Sequence, residues 1–253
     1  QKNHHERDDH ITFDEGPHIY TIDGDSDYMS VTTWIHKHFE HFDADKIIDN
    51  MMNSKKWTSN KYYGKTKEQI KNEWDMNRDQ AAQAGTQMHY DIECFYNNNV
   101  VTNESIEYEY FMRFYKQHAH LEPFRTEWMV WDKDLKLAGS IDMIFKEADG
   151  TLSIYDWKRC KQITKGSAFN KYSTHPLISH LPDTNYWHYC LQLNVYKALL
   201  EKNYGKKIKD LYLVCLHPDS QKKTYDKIKV IDLQSEVCEL FDQRINGLSM
   251  GGK

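Results

Sequence analysis

Hydrophobic positions recur at two different periods along this chain, and the change of period divides it. In the first part they repeat at helical spacing. "SVTTWIHKHFEHF" carries Trp34, Ile35, Phe39 and Phe42 on such a repeat, with Ser30 placed as its N-cap. "DADKIIDNMM" predicts a second short helix. "TKEQIKNEWDMNRDQAAQAGTQMHYDIECFYNN" predicts two helices, or one broken near residues 76–78. "SIEYEYFMRFYKQHA" repeats Ile106, Tyr110 and Phe114 and predicts another. Ahead of these, "ITFD" and "HIYTID" alternate weakly around "EGP", which predicts a small hairpin, and polar residues 1–10 predict a frayed end.

From "FRTEWMVW" onward the period drops to two and β-formers dominate. "KLAGSIDMIF", "TLSIYDWK", "DLYLVCLHP" and "YDKIKVIDL" continue as strands. One long helix interrupts them, "TNYWHYCLQLNVYKALLEKNYG", with Gly205 as its stop signal. A last helix near 234–246 precedes "GLSMGGK", which predicts a loose tail. Helices followed by a mostly antiparallel sheet with an inserted helix define an α/β (mixed α+β) fold, a central mixed β-sheet flanked by helices. The expected division is an N-terminal hairpin and helical part over 1–77 packed on the core, the core over 78–246, and a flexible tail over 247–253.

Composition narrows the picture. A length of 253 residues suits one large domain or one with a helical addition. No apolar run approaches the roughly eighteen residues a membrane helix needs, so no membrane partner is expected. No signal peptide is visible, and the chain begins with Gln1 rather than Met, which reads as a trimmed chain. Cys94, Cys160, Cys190, Cys215 and Cys238 form no CxxC pair, so reduced thiols in an intracellular protein are expected, and neither an iron–sulfur cluster nor structural zinc. A net charge of −5 does not advertise a nucleic-acid binder, but Lys158, Arg159, Lys161, Lys165 and Lys171 make a local basic strip.

The stretch "KLAGSIDMIFKEADGTLSIYDWKRCK" carries the candidate chemistry. Its turn "ADG" suits a three-residue hairpin loop with Gly150 at the left-handed position. Counting outward from Glu147 and Thr151 sets Asp142 opposite Asp156, with Cβ atoms about 4.5–5.5 Å apart. Lys158 shares their face and Trp157 points away. Two desolvated like charges would force a proton onto one of them. A hard cation such as Mg²⁺ or Mn²⁺, one ion or two, removes the conflict, and the lysine can then neutralise a phosphate or orient or deprotonate water. Glu127, on the preceding strand, faces the same side as Asp142 only if the intervening loop is even in length, and is a supporting candidate around the site.

G-x-x-D, a hairpin and then D-x-K resemble the PD-(D/E)XK nuclease superfamily, here through Gly139–Asp142 and Asp156–Lys158. "GTQMHYDIE" resembles the G-x-x-x-H motif of the RecB-like branch, with Gly85 and His89, and "QLNVY" its Q-x-x-x-Y motif, with Gln192 and Tyr196. The pieces run in the family's order over residues 85–196. The resemblance implies a restriction-endonuclease-like core. It makes His89, Asp142, Asp156 and the Trp157 carbonyl metal ligands, and Asp142, Asp156 and Lys158 the catalytic set. Glu93, one turn beyond His89, would orient it or reach metal through water. Gln192 and Tyr196 would contact the substrate strand or support the active-site strand, and Arg159 and Lys161 of the basic strip are further substrate-binding candidates. The lysine-, asparagine- and histidine-rich style points to a cytoplasmic or nuclear protein of a large DNA virus or phage.

The implied function is a metal-dependent deoxyribonuclease, exonuclease-like on free or single-stranded ends, in DNA repair or recombination. With no G-x-x-x-x-G-K-[ST] sequence, any helicase would be a separate replication or recombination partner. RNA is the alternative substrate, through an endonuclease of cap-snatching type. A catalytically inactive nucleic-acid-binding module is the alternative from another class. The missing four-cysteine cluster separates the chain from iron–sulfur members such as the CRISPR-adaptation nucleases. The N-terminal helical part is expected to wall a nucleic-acid channel.

Overall fold

The structure, a computed structural model, describes residues 2–251. A hairpin opens it, β1 (Ile11–Asp14) and β2 (Ile19–Ile22), followed by the short β3 (Met29–Ser30). Four helices follow: α1 (Val31–His36), α2 (Ala44–Met52), α3 (Lys67–Tyr96) and α4 (Ile106–Gln117). Ser30, Asp43, Thr66 and Ser105 cap them, each side chain accepting from a backbone N–H in the first turn. The sheet is then built from β4 (Glu122–Asp132), β5 (Leu137–Lys146) and β6 (Leu152–Lys158). α5 (Asn185–Asn203) leads to β7 (Ile208–Cys215), β8 (Asp226–Lys229) and α6 (Gln234–Met250).

The sheet is mixed, as the sequence pattern requires. β4, β5 and β6 run antiparallel in chain order, while β6 and β7 are parallel and therefore need a crossover, which α5 supplies. The expected register is observed: Met143 pairs with Tyr155 and Lys146 with Leu152, and Gly150 closes the turn at φ +83°. β3 adds a short parallel pair to the start of β5, which the sequence did not signal.

Helices cover both faces. One face packs α1 and α5 with the α6 residues Val237, Leu240 and Phe241 into the larger core, around Ile141, Ile144 and Ile154. The other sets Met88 and Ile92 of α3 and Phe111 and Phe114 of α4 against Met143, Phe145, Tyr155 and Trp157. The β1–β2 hairpin packs on Trp131 and Ala138. A small separate nucleus, Ile48, Tyr62 and Ile70, joins α2 to the first turns of α3.

Three expectations are corrected. α3 is one unbroken helix, not two, although residues 75–83 are exposed throughout. Gln80, Ala81, Ala82 and Gln83 are strong helix formers, and Arg78 pairs with Asp75 at 3.1 Å and Asp79 at 3.2 Å, so the stretch needs no packing partner. α6 runs through Gly247 to Met250 instead of giving way to a loose tail at 247. Of that expected tail, residues 252–253 lie outside the described residues.

Of the end expected to fray, Gln1 lies outside the described residues, and the rest is ordered from His5 on. A 3-10 turn over Glu6–His10 is capped by His5, and Asp8 reaches two buried partners on β4. It accepts from Arg125 Nη1 and, at 2.9 Å, from Trp128 Nε1. Burial pushes the Asp8 carboxyl up, but the His5 N–H, Arg125 and Trp128 outweigh it and hold the pKa below its ordinary value.

Removing Asp8 strands the buried Arg125 guanidinium. Asp8→Ala should therefore lower stability by about 3–5 kcal/mol in urea unfolding. With its folded pKa depressed, Asp8 contributes stability above the unfolded value of about 3.9. That contribution should fade as pH falls through the lower folded value, and Asp8→Ala should flatten that part of the acid-denaturation curve.

Candidate active site

The site begins where β5 loses its partner. On that edge β6 pairs with residues 143–146 and β3 with 137–138, so Gly139–Asp142 belong to neither ladder. Asp142 stands one step beyond the last pair, still opposite Asp156 in register. It turns its Oδ2 to accept the Trp157 N–H at 2.9 Å. The Trp157 side chain packs into the α3/α4 core, while its carbonyl contacts His89 Nε2 at 2.7 Å. His89 Nε2 also lies 3.7 Å from Asp142 Oδ2. The predicted imidazole, carboxylate and main-chain carbonyl thus meet at one point.

Glu127 completes the group. The β4–β5 connection is four residues, 133–136, so the parity condition is met and Glu127 falls opposite Asp142. Its φ of +43° within a strand is strained for a non-glycine residue, by about 1–3 kcal/mol. Ligand atoms of His89, Glu127 and Asp142 lie within 4.8 Å of one another. Burial and the Asp142 charge push the Glu127 carboxyl up to about 9, against the Ser140 hydroxyl, which donates at 3.1 Å. Asp142 is pushed up to about 7 by burial and by Asp156, with His89, Lys158 and the Trp157 N–H opposing. The carboxylates are therefore concentrated beyond what their hydrogen bonds stabilise.

Asp156 faces Lys158. Its buried Oδ2 lies 2.7 Å from Lys158 Nζ, a close ion pair. Lys158 Nζ donates to Gln192 Oε1 at 2.9 Å and sits 4.4 Å over the Tyr189 ring. Burial alone would lower the lysine pKa, but Asp156 and Asp142 outweigh it and raise the value. Gln192 in turn donates to the Tyr196 hydroxyl at 3.3 Å. Tyr196 lies against Gly139, where a Cβ would be 2.8 Å from its ring. The glycine of G-x-x-D and the tyrosine of Q-x-x-x-Y are thus two sides of one contact.

The remaining candidates spread outward. Glu93 lines the same cleft, its carboxyl raised by burial. Arg159 donates to Glu107 of α4 at 3.3 Å, and Lys161 is exposed in the loop that follows. The cleft measures about 1210 Å³. Phe13, His18 and Tyr20 of the hairpin line one part of it, and Thr86, Gln87, His89, Tyr90 and Glu93 of α3 another. Gln192, Tyr196 and Gly139 also line it. The hairpin residues and Tyr189 carry no local motif. They become visible as site residues only once β4 and α5 are placed.

The donor set fits a divalent cation. Carboxylate and carbonyl oxygens suit Mg²⁺ or Mn²⁺, one imidazole is compatible with the latter, and the Asp156 carboxylate, ion-paired with Lys158, adds further oxygen lone pairs. His89 would have to give up its present contact with Trp157 to offer Nε2.

Residues 33–250 match the family description "PD-(D/E)XK nuclease superfamily", and the chain belongs to that family. Its members use divalent metal ions. No curated protein matches the chain. Among solved structures it is similar to SSO0001, at 12% identity over 88% of this chain and 77% of that one, with a TM-score of 0.36. It is also similar to the "Putative exonuclease" of Eubacterium rectale, at 13% identity over 90% and 83%, with a TM-score of 0.42.

Gly139→Ala should drive Tyr196 off its seat. The expected cost is about 1–3 kcal/mol by chemical denaturation, the usual range for overpacking. The displaced tyrosine should also release Gln192 from Lys158, so turnover should fall even at temperatures where the variant stays folded.

Proposed function

We propose that this nuclease hydrolyses DNA with Mg²⁺ or Mn²⁺, acting on free or single-stranded ends. The observation that carries the reading is the convergence of His89, Glu127, Asp142 and the Trp157 carbonyl beside an Asp156–Lys158 pair. When bound, a divalent ion polarises the scissile phosphate and acidifies its bound water. His89, Asp142, Asp156 and the Trp157 carbonyl would hold it, with Glu127 as a further oxygen donor from β4.

Lys158 acts as a cation. Its raised pKa makes it a poor base, so its part is to hold the attacking water or a phosphate oxygen by hydrogen bonding and to offset developing charge. Gln192, supported by Tyr196, fixes where the ammonium points, and Asp156 keeps it charged. Gln192 and Tyr196, at 8% and 2% exposure, therefore serve the lysine more than they grip the strand. Arg159 is engaged with Glu107, which leaves Lys161 as the freer of the two cations following β6.

The preference for DNA rests on the resemblance to the RecB-like branch. The preference for ends rests on the cleft, bordered by the hairpin and by α3, which suits one strand. Intact Asp142, Asp156 and Lys158 weigh against an inactive binding module.

End-labelled single-stranded DNA, duplex DNA and RNA, each with Mg²⁺, Mn²⁺ or EDTA, test the reading. Cleavage of DNA with either metal and none in EDTA is expected, and cleavage of RNA alone would replace the substrate assignment. Lys158→Ala should lose at least about 100-fold in turnover. It should still bind Mn²⁺ by calorimetry. Asp142→Asn should lose both. Unchanged Mn²⁺ affinity in that variant would take Asp142 out of the ligand set.

A further inference from the structure

α3 separates two hollows. Thr86, His89 and Glu93 line the cleft, while Asp91 and Cys94 line a second groove of about 520 Å³ on the helix's other flank. Gln87 and Tyr90 line both and form the ridge between them. The rest of the groove is Val100–Asn103, the extended segment ahead of α4.

This groove contains no lysine or arginine among its lining residues, so it is not built to hold phosphates. Its one acid is already satisfied: Asp91 accepts from Gln87 Nε2 at 2.9 Å and from Asn103 Nδ2 at 2.6 Å. Asn103 Oδ1 also accepts from the Ser105 N–H at 3.1 Å, so what remains is the Gln87 amide oxygen, the second N–H of each amide, the Thr102 hydroxyl and backbone, the kind of chemistry that hydrogen-bonds the edge of a base. The ridge residue beside it is an aromatic. Tyr90 is 60% exposed, directly follows His89 in the chain, and among the described residues stacks on no other ring or cation.

From this placement we propose that the groove is a nucleobase subsite. A strand with its phosphate at His89 and Asp142 passes over α3. The base next to the scissile phosphate stacks on Tyr90 and turns its edge toward Gln87, Thr102 and Asn103. This rests on the reading of the chain as a nuclease of single-stranded ends and adds to it how the strand is held. Stacking is indifferent to which base is presented, because every base has a π face, so any preference at the subsite comes from the edge contacts.

An abasic scan tests it. A set of single-stranded oligonucleotides, each with one abasic residue moved stepwise along the strand, is cleaved by the wild type, Tyr90→Phe and Tyr90→Ala. The wild type should lose roughly ten-fold in kcat/KM at one abasic position and little elsewhere, the scale of one base–aromatic stack. Tyr90→Phe should keep that profile. Tyr90→Ala should lose the same factor on the unmodified strand, mostly in KM, and show no further loss at that position. Its melting temperature should be unchanged, because the ring is exposed.

A Tyr90→Ala enzyme as active as the wild type, or one still penalised at the same abasic position, would overturn the subsite while leaving the nuclease reading intact. A wild type that cleaves no nucleic acid with either metal would overturn both.

Discussion

The architecture of the site depends on β5 and β6 ceasing to pair one residue before Asp142. A continuing ladder would spend the Trp157 backbone on β5. Instead the Asp142 carboxylate takes the Trp157 N–H, and the Trp157 carbonyl is left to face His89. Tyr196 borders the opening, seated against Gly139, where no side chain blocks its approach. That same tyrosine carries Gln192, and Gln192 carries Lys158. One interruption of a hydrogen-bond ladder thus sets the Asp142 carboxylate, the Trp157 carbonyl, His89 and the lysine in register with each other.

The electrostatics follow from where the interruption lies. It sits at the centre of a sheet covered on both faces, so its carboxyls are stripped of water. Burial and the neighbouring acids raise Asp142 and Glu127, while Asp156 and Asp142 raise Lys158. Such an arrangement costs stability in a fold that had only to be stable, and the left-handed backbone at Glu127 adds to the cost. Both are spent at the same few residues, which is where a cation and a phosphate could return the free energy.

Much of this was legible because short-range rules govern it. A three-residue turn ending in Gly150 dictates the β5–β6 register, and the even length of the β4–β5 connection decides the side on which Glu127 emerges. The Ser30 cap of α1 is ordinary local chemistry as well. What could not be read were consequences of packing between distant segments. Nothing near Tyr196 says that it will lie on Gly139, since the contact is made only when α5 crosses over the sheet. Nothing in the polar run 1–10 says that Asp8 will find Arg125 and Trp128. Hydrophobic periodicity fades near residues 76–78, where a break is expected and none occurs. A helix that stands free of the protein loses that signal without losing its backbone hydrogen bonds.

That freestanding stretch has a mechanical meaning. α3 is clamped at one end by Ile48, Tyr62 and Ile70 and at the other by Met88 and Ile92, with bare span between. From Ile70 to His89 the axis covers roughly 28 Å, at 1.5 Å per residue. His89 and Tyr90 ride on the turn that Met88 and Ile92 seat against the sheet, so the aim of this corner of the site is set where the helix lands.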